Sequence, residues 1–213
     1  LPSKEMVDFL SGRDVRGIPP YDERLIPYDI WGNRAHVLML FHQRILSKQD
    51  GKKILKGLKE IETLHQKRKF GLDASKEDVH SNIESYLIER VGIESGGKVH
   101  TGRSRNDQIV LDMRLYLRDK VLEFLEGLIF LMEALLEKAE EHRLTIMPGY
   151  THHQHAVATT LGHLLLSFAE ALNRDAQRFS HWFVLFNKNP LGGAAGYGTT
   201  FNLDRRLTSK LLG

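Results

Sequence analysis

The clearest periodic signal in the chain runs from residue 110 to residue 139. Apolar residues recur there in alternating steps of three and four, the spacing of one face of an α-helix. The stripe comprises Val110, Met113, Leu117, Val121, Phe124, Leu128, Leu131, Leu135 and Ala139. A helix that carries it needs about 35 residues and extends for ~50 Å. A stripe this long predicts coverage by other long helices, in a bundle or a coiled coil.

A second periodic segment follows Pro148 and Gly149 and predicts another long helix over residues 155–186. Its stripe comprises Ala158, Leu161, Leu165, Phe168, Leu172, Ala176, Phe179, Phe183 and Phe186. Because the connection between the two segments is short, we expect the helices to pack antiparallel. Strand patterns are nearly absent. The predicted fold class is therefore all-α, with an N-terminal helical domain followed by the start of a long-helix bundle.

Shorter helices are predicted on either side of the long ones. Apolar spacing indicates helices over residues 31–48 and 51–69. A third is expected to begin with Ser75 as its cap and to end at Gly92. Another helical pattern begins at Leu203.

Residues 1–30 are rich in proline and glycine and predict an extended arm that packs on a larger body. We place a domain boundary between residues 1–105, the arm and helical domain, and residues 106–213, the first part of the bundle. A bundle needs at least three or four long helices, and only two are complete here. We therefore expect a chain that is a piece of a longer protein or that depends on partner chains.

Composition narrows the class of protein. The formal net charge is only +3 and no dense basic run appears, which gives no ground for a nucleic-acid partner. The absence of cysteine excludes disulfides and thiolate metal sites. No apolar run reaches the roughly 20 residues of a membrane span, and no signal peptide opens the chain. We expect no membrane association and a cytoplasmic location.

The polar stretch that leads into the first long helix carries the most distinctive chemistry. Arg103 and Arg105 are suited to bidentate capture of carboxylates. The amides of Asn106 and Gln108 offer donors to a carboxylate or to an oxyanion-like intermediate. The alternative is a capped helix start, with Asn106 or Asp107 as the N-cap and the arginines in solvent.

Two other clusters are candidates. Thr151 and His152 precede two further histidines between the long helices, where one histidine could serve as a general acid/base or a substrate ligand. Adjacent histidines do not have the spacing of a metal site, and exposed histidines at a polar helix start are the alternative. Asp78 and His80 lie at a predicted helix start, where capping is the usual role. The loop over residues 187–200 lacks the Gly-Lys-Ser/Thr of a phosphate loop.

These sequence motifs resemble those of a known family. The run from Gly97 to Gln108, Gly-Lys-Val-His-Thr-Gly-Arg-Ser-Arg-Asn-Asp-Gln, is similar to the first signature region of argininosuccinate lyase, in the fumarase/aspartase superfamily. Further stretches agree in order and spacing: Glu77 to His80, Pro148 to His152, Asn189 to Gly192, Gly198 to Phe201, and the arm with Asp22, Arg24 and Asp29. The resemblance covers most of the chain.

The resemblance implies a cofactor-free and metal-free β-elimination that splits argininosuccinate into arginine and fumarate, a step of arginine biosynthesis. The enzyme must stabilise a dianionic aci-carboxylate, so donors aimed at that charge are the largest expected contribution. By motif, His152 is the implied catalytic residue, taking part in proton transfer. The implied substrate-binding residues are His80, Arg103, Arg105, Asn106, Gln108 and Thr151. The superfamily implies a homotetramer in which each site is built from three subunits.

The chain departs from the family at two places. The position near Ile18 lacks the serine that usually precedes the Tyr-Asp of the arm. His153-Gln154-His155 stands where the family commonly has Leu-Gln-Arg. The family's mobile loop with the catalytic serine base would lie beyond residue 213, so we expect the 213-residue piece alone to be inactive.

Two other functions remain as alternatives. One is a non-catalytic, crystallin-like or assembly-only protein on the same scaffold. The other is a superfamily lyase that acts on a different succinyl adduct, which would require a different residue set around residues 103–108.

Overall fold

The computed structural model describes residues 3–10 and 21–213. Its α-helices are α1 (Lys4–Leu10), α2 (Ile26–His42), α3 (Lys48–Gln66), α4 (Val79–Val91), α5 (Ile93–Gly96), α6 (Arg105–Glu141), α7 (Leu161–Phe186) and α8 (Arg205–Leu211). Two strands, β1 (Ile146–Thr151) and β2 (Gln154–Thr160), form one antiparallel hairpin. The predicted helical fold class is confirmed, with this hairpin as an addition. None of the helices in the described part of the chain has the length and apolarity needed to cross a membrane.

Two compact units can be distinguished. The first contains the described residues up to Tyr116 together with Lys188–Gly213, and the second is Leu117–Asn187. Helix α6 begins in the first unit and continues into the second. The domain boundary that we placed after residue 105 stays a prediction.

The core of the first unit lies between α2, α3 and α4. Its fully buried apolar side chains include Leu40 from α2, Ile54 and Leu58 from α3, and Ile83 and Leu87 from α4. Burying these side chains contributes on the order of 1.5–3 kcal/mol each. This packing positions α2 and α4, two of the elements that carry the site.

The N-terminal arm was predicted as irregular, and this is wrong for part of it. Residues 4–10 form α1, and α2 begins at Ile26 rather than at Trp31. Pro27 lies in the first turn of α2, where its missing N–H costs no helical hydrogen bond. The position near Ile18 lies outside the described residues.

Capping corrects the starts of two predicted helices. Helix α3 begins at Lys48, because Ser47 caps it by accepting the Asp50 N–H at 3.0 Å. Helix α4 is capped by Asp78, whose carboxylate accepts the Ser81 N–H at 2.6 Å, and not by Ser75. The Ser75 hydroxyl instead donates to Asp73 at 2.8 Å.

In the second unit, α6 and α7 pack antiparallel, as predicted. The rings of Phe124 and Phe179 lie 4.8 Å apart, and Gly162 faces the Ala139 carbonyl near the opposite ends of the two helices. Helix α6 spans 37 residues, which confirms its predicted length.

The predicted apolar stripe of α6 is wrong in its first turns. Val110 and Met113 are exposed there, whereas Leu111 and Leu115 are buried. The reason is that this part of α6 packs in the first unit, against α2, with a different face. Farther along, Val121, Leu128 and Ala139 of the stripe are buried, whereas Phe124 and Leu131 are exposed.

The start of the second long helix was also predicted wrongly. Residues 154–160 form β2, which pairs with β1, and α7 begins only at Leu161, after the Thr160 cap. The turn between the strands is made by His152 and His153, at φ values of 50° and 60°. Positive φ at both central residues is the geometry of a type I′ hairpin turn. Branched residues in β2, such as Val157 and Thr159, favour the extended conformation.

Substitutions of two adjacent glycines, Gly96 at the end of α5 and Gly97 directly after it, provide a test of the local packing. A Cβ on Gly96 would lie 2.8 Å from the Ile88 backbone nitrogen, whereas one on Gly97 would be in ordinary contact with Ile93 at 3.8 Å. We predict that Gly96→Ala lowers the free energy of unfolding by about 1–3 kcal/mol. Gly97→Ala should be neutral or stabilising by about 0.5 kcal/mol. Urea unfolding measures both, and equal effects would contradict this packing.

Candidate active site

A buried carboxylate, Asp29 on α2, collects hydrogen bonds from three helices. It is 1% exposed. Asn33 of α2 donates to it at 2.7 Å, Gln108 of α6 at 2.5 Å, and the Nδ1 of His80, at the start of α4, at 3.0 Å. Hydrogen bonds to a charged group are stronger than neutral ones, so this carboxylate holds the three helices together.

Arg103, in the loop before α6, supplies positive charge to the same network. Its guanidinium is buried and donates to the side-chain oxygen of Asn33. Burial lowers the pKa of Arg103, although the charge of Asp29 acts in the opposite direction. Burial alone would raise the pKa of Asp29, but the hydrogen bond from His80 and the charge of Arg103 hold it at about 2. Asp29 is therefore ionised at neutral pH.

Arg105, the first residue of α6, lies at the edge of this network and is partly exposed. Its guanidinium is 3.4 Å from the Asp78 carboxylate and 3.7 Å from Glu84 on α4. It also donates to the side-chain oxygen of Gln108 at 3.2 Å. Because its ion pairs are long and partly solvated, a carboxylate ligand can replace them at small cost.

These groups meet at a narrow cleft that, in this structure, is too tight to hold a water molecule. Its polar lining consists of Asn33, His80, Glu84, His100, Arg103, Arg105 and Gln108. Burial, followed by the charges of Arg103 and Arg105, lowers the pKa of His100 to about 4. Two guanidinium groups therefore lie beside a buried, neutral imidazole, and the partly exposed one, Arg105, is the group that can receive an anionic ligand.

The start of α6 is anchored by Asp107. One oxygen of its carboxylate accepts the Ser104 N–H at 2.9 Å, and the Ser104 hydroxyl accepts the Asn106 N–H at 3.2 Å. This is a reciprocal capping arrangement. The other oxygen accepts the N–H groups of Gly192 and Ala194, at 3.1 and 2.8 Å. The glycine-rich loop is thereby tied to the helix that carries Arg105.

The structure brings together several of the residues singled out in the sequence. His80, Arg103, Arg105 and Gln108 line one cleft. Asn106 is adjacent in the chain, and its side chain is exposed. Neither Asn106 nor Asp107 is the N-cap of α6, because the helix begins at Arg105 and Ser104 caps it; Asp107 accepts the Ser104 N–H from within the first turn.

Thr151 and His152 belong to the second unit, at the hairpin turn, and both are exposed. Neither is among the residues that line the cleft of the first unit. The positive φ of His152 makes it part of the turn rather than of a helix start.

Some residues of the network were not singled out from the sequence. Asp29, Asn33 and His36 follow one another in steps of four and three, which places them on one face of α2. All three are buried. Polar side chains at this spacing in an otherwise apolar helix indicate a buried polar face. The prediction missed this face because the predicted helix began two residues after Asp29. Asp112, one turn after Gln108, was also missed, because the wrong face of α6 was predicted to be buried.

One set of side chains has the spacing of a metal site. Asp29, His80 and Asp112 each place a ligand atom within 4.8 Å of the others. Three of the four acceptor positions of the Asp29 carboxylate are already filled by Asn33, Gln108 and His80. Arg103 adds a positive charge beside them. The protein therefore supplies the countercharge that a cation would bring.

Comparison with known proteins gives the family. The model of a lyase family matches residues 33–213, which is most of the chain. The chain belongs to this lyase family. Argininosuccinate lyase from Anoxybacillus flavithermus is 45% identical over 193 residues, covering 91% of this chain and 42% of that protein. Argininosuccinate lyase from Methanothrix thermoacetophila is 43% identical over 211 residues, covering 99% of this chain and 41% of that protein. The resemblance read from the motifs is confirmed, and the chain spans about two fifths of these relatives.

Solved structures agree with this assignment. The chain is similar to a variant of EDDS lyase with bound fumarate, at 34% identity and a TM-score of 0.81, covering 96% of this chain and 39% of that one. A fumarate lyase:delta crystallin from Brucella melitensis has the same fold, at 21% identity and a TM-score of 0.76, covering 98% of this chain and 50% of that one.

His36 provides a test of the buried network by acid. Its Nε2 donates to the Thr101 carbonyl at 2.8 Å, and burial, with the charge of Arg103, lowers its pKa from 6.5 to about 3. Between pH 6.5 and about pH 3 the unfolded chain binds one more proton than the folded protein. The free energy of unfolding therefore decreases as the pH is lowered, by up to about 1.4 kcal/mol per pH unit. His36→Gln keeps an N–H donor without the titration and should lose less stability between pH 7 and pH 5.

The measurement is the free energy of urea unfolding at each pH. The exposed His163, changed to Gln, is the matched control and should follow the wild-type curve. If His36→Gln loses as much stability on acidification as the wild type, the buried neutral imidazole is not the source of the acid sensitivity.

Proposed function

We propose that the protein to which this chain belongs splits argininosuccinate into arginine and fumarate by β-elimination, as a step of arginine biosynthesis. The signature residues and the identity to argininosuccinate lyases support this reaction. The observation that carries the proposal is the cleft in which His80, Arg103, Arg105 and Gln108 meet. The partly exposed guanidinium of Arg105 at its edge suits a carboxylate of a succinyl group.

In the proposed mechanism, a base removes the proton from the carbon next to a substrate carboxylate. Negative charge then builds up on that carboxylate, and Arg105 and Asn106 donate hydrogen bonds to it. Donors that are already in place stabilise the developing charge without reorganising during the reaction. The C–N bond then breaks, fumarate forms, and an acid protonates the departing guanidine nitrogen of arginine. The reaction so written needs no metal and no cofactor.

The remaining residues are assigned by motif and by position. His80 and Gln108 bind substrate from the cleft wall, and Arg103 contributes its charge from below the surface. Thr151 contacts the substrate, and His152 takes part in proton transfer. The exposed imidazole of His152 on a tight turn is consistent with that role.

We propose that the protein acts as a cytoplasmic homotetramer in which each site combines segments from three subunits. The second unit carries an unusual amount of exposed apolar side chain for a structure that stands alone. Phe130 is 74% exposed, and Leu131, Phe168 and Leu185 are also exposed. Covering these surfaces with the same helices of other copies would complete a long-helix bundle.

Arg105 gives the test of this function. In the full-length protein, Arg105→Lys keeps the charge but loses the planar pair of donors, so kcat/KM for fumarate release from argininosuccinate should fall by about 100-fold. Arg143→Lys, at an exposed residue paired with Glu140 at 3.6 Å, is the matched control and should leave kcat/KM unchanged. Full activity of Arg105→Lys would contradict the role of Arg105. Absence of fumarate release by the wild-type protein would contradict the proposed reaction.

A further inference from the structure

Asp112 is a buried carboxyl group that the proposed reaction does not use. It lies on α6, one turn after Gln108, and is 0% exposed. Helix α2 crosses over it at Gly32, where a Cβ would lie 2.9 Å from Leu111 and 3.4 Å from an oxygen of Asp112. The close approach of the α2 backbone therefore separates this carboxyl group from solvent.

Neither oxygen of Asp112 receives a hydrogen bond from any residue that the structure describes. Nδ1 of His80 is 3.4 Å from Asp112 but directs its hydrogen bond to Asp29 at 3.0 Å. An ionised carboxylate in this position would have lost its water and gained no donor, which is strongly unfavourable. A protonated carboxyl group instead has a donor of its own and an ionised acceptor, Asp29, beside it.

We propose that Asp112 is a neutral carboxylic acid whose O–H donates to the ionised Asp29, and that this carboxyl pair is a positioning device for His80. The positioning role rests on the function proposed above, whereas the protonation of Asp112 does not. In this arrangement one proton lies on Asp112, one lies on Nδ1 of His80, and Asp29 carries none.

The charges of the neighbouring groups balance in this arrangement. Asp29 on α2 is negative, Arg103 in the loop is positive, and Asp112 and His80 are neutral; Arg105, farther out, is paired with Asp78 and Glu84. Burial and the adjacent charge of Asp29 raise the pKa of Asp112 well above its ordinary value, against the opposing charges of Arg103 and Arg105. The competing arrangement moves the proton from Asp112 to His80 and leaves Asp112 as a buried anion without a donor.

The arrangement determines what His80 offers to the cleft. With its Nδ1–H committed to Asp29, the neutral ring keeps a lone pair on Nε2, which has no partner among the described residues. His80 therefore presents a hydrogen-bond acceptor. It would meet an N–H or O–H of the substrate rather than form an ion pair with a carboxylate.

The test compares two variants in the full-length protein. Asp112→Asn replaces the acid by an isosteric neutral group whose N–H can donate to Asp29. Asp112→Leu has a similar size but no donor. We expect Asp112→Asn to keep kcat/KM within about threefold and the midpoint of thermal unfolding within about 3 °C. Asp112→Leu should lower kcat/KM by at least about tenfold, because Asp29 and His80 lose their fixed orientation.

Infrared and NMR spectroscopy supply readouts that do not depend on activity. At pH 7 the wild-type protein should show the C=O stretching band of a protonated carboxylic acid, which Asp112→Asn removes and Asp119→Asn, at an exposed residue of the same helix, retains. The ¹⁵N shifts of His80 should report a neutral Nδ1–H ring in the wild type and in Asp112→Asn, but not in Asp112→Leu.

Each outcome decides between the arrangements. Absence of the acid band, or an Asp112→Asn variant that is strongly destabilised, overturns the protonated Asp112. Equal His80 spectra in Asp112→Asn and Asp112→Leu overturn the positioning role. If the band is present but the full-length protein does not cleave argininosuccinate, the proposed reaction fails and the carboxyl pair stands.

Discussion

The first unit is organised by the need to satisfy one buried charge, the carboxylate of Asp29. A charged group without partners in the interior is among the most unfavourable features a fold can contain. Here the partners come from Asn33, His80 and Gln108, and Arg103 adds the countercharge. Because these residues belong to α2, α4, α6 and the loop before α6, satisfying Asp29 fixes the relative positions of all four segments. The cleft is a consequence of that constraint.

A second anchor, Asp107, acts on the other side of the same helix start. Its carboxylate accepts backbone N–H groups from Ser104 and from the glycine-rich loop at Gly192 and Ala194. The backbone around Arg105 is thereby held from both sides, while the Arg105 side chain keeps long, partly exposed ion pairs. A rigid backbone that carries one guanidinium group with weak ion pairs is suited to binding a carboxylate and releasing it again. The two arginines of the motif therefore have different environments: Arg103 is buried in the network, and Arg105 is partly exposed.

The sequence predicted what depends on local pattern. The three-four steps of α6 required a long helix, and its length was confirmed at 37 residues. Three features depended on packing or on unusual backbone geometry and were missed. The hairpin requires positive φ at His152 and His153, which is uncommon for residues other than glycine. The buried face at the start of α6 is set by α2. The meeting of Asp29 with Gln108 joins residues 79 apart in the chain, which no periodicity connects.

The central claim is that the Asp29 network holds a preformed carboxylate site at the start of α6. The most direct test is a crystal structure of the full-length protein with fumarate. We expect a fumarate carboxylate within hydrogen-bond distance of Arg105 and Asn106, with the His80–Asp29 hydrogen bond intact. Fumarate bound away from these residues, or a His80 ring turned away from Asp29, would contradict it.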